Sequence, residues 1–243
     1  GSPARVLAEH ARAKHAGLIV MTTHGHSGVS RLWLGSVADQ LLRRVSVPVL
    51  LLHPKHAAYS EFRHILVALD GSQNAEQVLK TAVDLGSLMP EVRYTLVRVV
   101  EPPLPVITRL AVYPAPPPRS QAEEESCAVA YLQSLAAPLL ERGLQVSTEV
   151  LSGRSVADRI QEAAHARGAD LIVVGTHGAS GLERMMLGSV ADKIVRGTTH
   201  PVLVVPTRGE HHRPSSRQGR TAIMTDVPLP SQSLVTASDL AIR

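Results

Sequence analysis

Leu171-Ile-Val-Val-Gly175-Thr-His-Gly178-Ala-Ser-Gly-Leu-Glu-Arg-Met-Met-Leu-Gly188-Ser-Val-Ala-Asp192 decides how this chain is read. A short apolar run enters a glycine turn, and Gly188-Ser189 opens a second ordered stretch. That is the pattern of a strand buried on both faces, a loop and a helix. It occurs once before, as Leu18-Ile-Val-Met-Thr22-Thr-His-Gly25-His-Ser-Gly-Val-Ser-Arg-Leu-Trp-Leu-Gly35-Ser-Val-Ala-Asp39, with Gly188 standing 153 residues after Gly35 and no gap between the copies. The match runs on to Pro48-Val49-Leu50 and Pro201-Val202-Leu203. A period that long marks a duplicated domain and not a solenoid.

Working outward from the second copy, His64-Ile-Leu-Val-Ala-Leu-Asp70 reads as a buried strand ending in a turn. Asp70 and Ser72 offer N-caps for a helix through about Leu88. Strands are expected at Tyr94–Val100, Gln145–Leu151, Leu171–Val174 and Val202–Val205, and helices at 121–142, 155–167 and 189–196. Strands alternating with helices predict an α/β fold, with a doubly wound, five-stranded parallel sheet of Rossmann-like type. Counted back by the repeat, the first copy's opening strand would lie upstream of Gly1. The expected organisation is therefore the C-terminal half of a first domain (1–54), a linker (55–60), a complete domain (61–207) and a disordered polar tail (208–243). The half domain must cover its apolar strands by packing on the complete copy or on another chain. The Pro-rich stretch from Glu101 to Arg119 reads as an extended loop.

Composition narrows the function classes. The chain is 44% hydrophobic and 19% charged, ordinary for a folded domain. Its apolar runs are far shorter than the roughly 20 residues a bilayer demands. One cysteine excludes an internal disulfide and a self-contained cysteine zinc site. The net charge of +4 lies partly in the tail, and aromatics make up only 2%, leaving little on which unpaired bases could stack. Specific nucleic-acid binding is disfavoured.

The motif Gly175-Thr-His-Gly178, nine residues, then Gly188-Ser189 follows a strand and opens a helix, which places it at the carboxyl edge of a doubly wound sheet. Glycines allow close backbone approach to an anion. The N–H groups of Gly188, Ser189 and Val190, with the positive end of the helix dipole, suit phosphate oxygens. A tight turn alone would use the same glycines. Asp70, closing the first strand of the same domain, reads as a ligand contact or as a helix N-cap.

The strand Ile65-Leu-Val-Ala-Leu-Asp70-Gly-Ser, Gly153 before a helix, and the glycine motif closing on His200-Pro201-Val-Leu-Val-Val205 resemble the universal stress protein family. The resemblance covers 61–207 as a whole domain and 1–54 as the back half of another. It implies a tandem member in the cytoplasm that binds ATP, with or without Mg2+, as a regulatory stress-response module with little or no hydrolysis. It implies further that Asp70 and the backbone of Val99 contact adenine, that Gly175 lies near the ribose, and that Gly178, Gly188, Ser189 and Val190 hold the phosphates. Assembly is expected through the last strand, both between the two repeats and between chains. The alternative is a nucleotide-independent scaffold built on edge strands.

The first copy departs from this pattern, with Thr22 where the second has Gly175. Its half-site is not expected to be competent alone. No catalytic residue and no metal ligand set stands out: neither a P-loop lysine nor an acidic pair for magnesium is evident. His24 and His177 match between copies but read as loop-shaping, Cys127 as a packed thiol, and Glu123-Glu-Glu125 as a solvated first helical turn. Met185-Met186 read as core or interface, and His211-His212 as too sparse for a fixed metal site.

Overall fold

The computed structural model describes residues 2–22, 34–53, 61–72, 74–102, 120–176, 187–207 and 235–236. In chain order the elements are α1 (Pro3–Ala13), β1 (Ile19–Thr22), α2 (Ser36–Leu42), β2 (Val49–Leu52), β3 (His64–Ala68), α3 (Asn74–Gly86) and β4 (Arg93–Val100). There follow α4 (Gln121–Glu141), β5 (Gln145–Ser152), α5 (Val156–Arg167), β6 (Leu171–Gly175), α6 (Ser189–Gly197), β7 (Val202–Val205) and the two-residue β8 (Val235–Thr236). All strands join one sheet in the order β5-β4-β3-β6-β7-β2-β1-β8. Every neighbouring pair is parallel except β2 with β7. The α/β class and the mostly parallel sheet agree with the sequence pattern. The sheet is wider than five strands, because β1 and β2 extend the same layer that β3–β7 form.

The central strands are apolar on both faces because both faces are covered. Leu66, Ile172, Val174, Val202 and Val204 face a core shared with α1, α2, α5 and α6. Ile65, Val67, Val173, Leu203 and Val205 face a second core under α3 and α4. Alternate residues of one strand thus enter different cores, which is why these runs carry no polar positions. β5 lies at one side of the sheet and keeps a largely exposed pattern.

Strand order creates the crevice. The chain runs from β3 outward to β4 and β5, then returns across β3 to lay down β6 and β7. After β3 it leaves toward α3 on one face, and after β6 toward α6 on the other. Adjacent strands whose continuations part to opposite faces leave an opening above their carboxyl ends, the usual ligand position in such sheets.

Contacts distant in sequence lock the opposite end. Asp170 Oδ2 accepts the backbone N–H groups of Arg63 and His64, each at 2.9 Å, and so ties the start of β6 to the start of β3. The buried His64 ring meets the Arg167 carbonyl at 3.1 Å and Thr95 Oγ1 at 2.8 Å, and Thr95 Oγ1 lies 3.0 Å from Ser147 Oγ. This polar chain crosses β3, β4 and β5 without leaving a ring nitrogen unpartnered. Helix α4 starts in a capping box: Glu123 N–H donates to Ser120 Oγ at 3.3 Å, and Ser120 N–H to Glu123 Oε2 at 2.7 Å. Glu123 therefore caps, beyond merely favouring the dipole.

Where β7 meets β2, Val204, Leu203 and Val202 oppose Val49, Leu50 and Leu51. With β6 on its other side, β7 has no free edge. The position beside β7 through which assembly is expected is held here by β2 of the same chain. Above the junction α2 and α6 share charges. Arg43 Nε lies 3.0 Å from Asp39 Oδ2, Arg196 Nε 2.8 Å from Asp192 Oδ1, and Arg196 Nη2 3.4 Å from Asp39 Oδ1. The bond to Asp39 raises the Arg43 pKa above its ordinary value despite some burial.

Candidate functional site

The crevice above β3 and β6 is an open cavity of about 350 Å³, and Asp70, Val99, Gly175, Gly188, Ser189 and Val190 all line it. Six of the seven residues singled out from sequence thus meet at one place. The seventh, Gly178, lies outside the described residues.

At one end the chain turns sharply after β3. Asp70 Oδ1 accepts from Ser72 N–H at 3.0 Å and from Ser72 Oγ at 2.7 Å, closing an Asx-type turn. Helix α3 starts only at Asn74, so Asp70 shapes this turn and is not the helix N-cap. Among the described residues no hydrogen bond uses Asp70 Oδ2. Gly71 adopts φ +84°, and a Cβ there would come within 2.8 Å of the Arg98 guanidinium. Glycine is favoured there by the positive-φ backbone conformation, while the arginine end could move aside. The same guanidinium stands 5.4 Å from the ring centre of Tyr131. Burial, helped by the Asp70 charge, pushes the Tyr131 hydroxyl pKa up to about 12.

Val99 owes its place to strand lengths. Leu69 N–H donates to the Val97 carbonyl at 2.9 Å, so Val97 faces β3. In a parallel ladder, alternate residues bond to the same neighbour. Val99 therefore faces the same side, but β3 has already ended and the chain has turned at Gly71. Its N–H and C=O are left looking into the crevice.

The other end is built around Thr176. Its N–H donates to the Val205 carbonyl at 2.8 Å, and its Oγ1 accepts from Thr207 N–H at 3.0 Å. Its carbonyl accepts from Gly188 N–H at 2.6 Å. Thr176 thus ties together the ends of β6 and β7 and the start of α6. This corrects one expectation: the Gly188 N–H is already engaged and is not free to hold a phosphate. The first bond within α6 runs from Asp192 N–H to the Gly188 carbonyl at 2.9 Å. The N–H groups of Ser189, Val190 and Ala191 have no intrahelical acceptor and open onto the crevice. Ala191 therefore joins the donor set from which Gly188 drops out.

Thr176 and Thr207, both buried, were not singled out from sequence. A signal existed for the first, since Thr23 occupies the matching position of the other copy. Arg98 and Glu101 line the crevice without any sequence signal of their own. No group of three or more His, Cys, Asp or Glu among the described residues is placed to hold a metal ion. No helix among them is long and apolar enough to cross a membrane.

Comparison with known proteins adds a family. The chain matches the universal stress protein family over residues 1–53 and 61–206. It is 32% identical over 201 residues to a universal stress protein of Mycobacterium tuberculosis, a match covering 79% of this chain and 62% of that protein. The chain thus spans less than two thirds of that relative. A universal stress protein of Bacillus subtilis is 31% identical over 150 residues, covering 59% of this chain and 99% of the relative. Among solved structures, a universal stress protein from Archaeoglobus fulgidus superposes with a TM-score of 0.59 at 22% identity, covering 86% of this chain and 66% of that one.

Proposed function

This chain belongs to the universal stress protein family, and we propose that its crevice binds an adenine nucleotide, ATP with or without Mg2+, in a regulatory role with little or no hydrolysis. The observation that carries the reading is the pairing of two kinds of unspent backbone group across one cavity. At one end the N–H groups of Ser189, Val190 and Ala191 form a cradle for phosphate oxygens, strengthened by the α6 dipole. At the other, the N–H and C=O of Val99 offer the donor–acceptor pair that a purine edge can satisfy. Asp70 stands beside it with Oδ2 free for a base or ribose group.

In this reading Gly175 allows the ribose to approach the end of β6, Gly188 fixes the start of α6 through Thr176, and Ser189 Oγ adds a donor to the phosphates. Gly178 is assigned the same phosphate role on the resemblance alone. The strands β3–β7 make up the complete nucleotide-binding unit, and α1–β2 is the back half of a second unit. The test is direct: ligand released from protein purified without added nucleotide is identified by mass spectrometry, and thermal unfolding is followed with and without millimolar ATP. A ligand bound only by the folded state stabilises it by about 2.7 kcal/mol at 100 times Kd. Absence of both bound nucleotide and stabilisation refutes the reading. Production of ADP, AMP or pyrophosphate at a steady rate would replace the regulatory role with an enzymatic one.

A second reading, a scaffold that works without nucleotide, draws on the β2–β7 junction, where equivalent strands of the two copies join. It gains ground only if the ATP experiment fails.

A further inference from the structure

We infer that β8, at Val235–Thr236, serves as a built-in partner strand for β1, taking beside it the place that β3 takes beside β6. This is independent of whether the crevice binds nucleotide.

β1 pairs on one side with β2 and on the other with β8, in parallel, with Ile19 opposite Val235 and Val20 opposite Thr236. In the other copy β6 pairs with β7 on one side and with β3 on the other, also in parallel, with Ile172 opposite Leu66 and Val173 opposite Val67. Ile19 and Val20 are the repeat equivalents of Ile172 and Val173. The backbone register therefore equates Val235 with Leu66 and Thr236 with Val67. Aligned in that register, Leu234-Val-Thr-Ala-Ser-Asp239 lies against Ile65-Leu-Val-Ala-Leu-Asp70. Both begin with two aliphatic residues, both have alanine fourth, and both end in aspartate.

The register comes from strand pairing and the match from sequence, so the two observations are separate. An open sheet edge accepts a strand of either direction in any register. Here the direction and the register are the ones that the sequence match requires. The path is also short. β8 lies three strands from β7, roughly 15 Å at normal strand spacing. Because β8 is antiparallel to β7, it begins at the rim where β7 ends. Pairing with β8 gives the outer polar groups of β1 partners.

Two measurements on the full-length chain test this. In a Cys127→Ser background, Val20→Cys with Thr236→Cys should form an intramolecular disulfide at least ten times faster than Val20→Cys with Ser231→Cys. Equal rates, or a disulfide joining two chains, would overturn the inference. In the second, Val235→Pro with Thr236→Pro removes the amide donors of β8. The β1 amides that do not bond to β2 should then exchange with deuterium at least ten times faster, while β3 and β6 amides are unchanged. Unaltered β1 exchange counts against the inference. Loss of protection in β3 and β6 would show that this variant is unfolded, and the crosslinking rates then decide.

Discussion

Leu50 and Leu203, equivalent residues of the two copies, lie directly opposite one another where β2 meets β7. The flanking pairs, Val49 with Val204 and Leu51 with Val202, interchange under the repeat. A local two-fold axis therefore passes between the two leucines. Asp39 with Arg43 and Asp192 with Arg196 repeat the relation one layer above. Side chains there are a quarter to a third exposed, so each pair contributes at most about 1 kcal/mol. A double-mutant cycle on Asp39→Ala and Arg196→Ala should give a coupling below about 1 kcal/mol that shrinks further in 1 M salt. A salt-independent coupling of several kcal/mol would contradict this account.

Gly188→Val places a branched side chain at the mouth of the donor cradle. ATP affinity should fall at least about tenfold, equivalent to about 1.4 kcal/mol. The unliganded protein should lose only about 1 kcal/mol, because glycine serves as an N-cap and valine does not. Calorimetry gives the first number and urea unfolding the second. Unchanged affinity would remove the phosphate site from α6.

Thr176→Val keeps the shape and removes the oxygen that accepts from Thr207 N–H. The loss of one such hydrogen bond costs about 0.5–1.5 kcal/mol. The loss should appear in urea unfolding, and ATP binding should weaken as well, since Thr176 positions Gly188.

Acid should weaken the β3–β4–β5 polar chain. Burial lowers the His64 pKa, Arg93 lowers it further, and the Arg167 and Gly168 carbonyls and Asp170 oppose the shift. The folded state thus prefers neutral imidazole. Its contribution is full above the unfolded value near 6.5 and is lost as pH falls from there through the folded pKa. Urea unfolding at several pH values should show wild-type protein losing stability below about pH 6.5 more steeply than His64→Gln. Identical slopes would mean that protonation at this site is not linked to folding.

Gly86→Ala should be costly for a local reason. A Cβ there would stand 2.0 Å from the hydroxyl oxygen of the buried Tyr94. Overpacking of this kind typically costs about 1–3 kcal/mol. Tyr94→Phe removes the clashing atom, so the double variant should recover part of the loss in thermal unfolding.

The elements β3 to β7 were legible because each is written locally. Ile65–Leu69 and Val202–Val205 are short apolar runs, and Val129, Leu132 and Leu139 keep helical spacing. The lining of the crevice was legible because the glycine motif follows a buried strand and opens a helix, and the family resemblance added Asp70 and Val99. What stayed hidden was pairing at a distance. Nothing near Asp170 announces that its carboxylate will hold two amides of β3, and only the resemblance, not any residue near Val49, pointed to β2 meeting β7. The engaged Gly188 N–H was hidden likewise, since its acceptor lies across the loop at Thr176.

The reversal of direction between β7 and β2 has a consequence for signalling. β1 runs with β2 and β6 runs with β7, so Thr22 and Gly175, the repeat-equivalent ends of β1 and β6, emerge on opposite rims of the sheet. A small molecule seated at the Gly175 end of β6 therefore lies across the sheet from the Thr22 end of β1. The seam of Leu50 and Leu203 lies between the two strand ends, which makes it the place to look for communication.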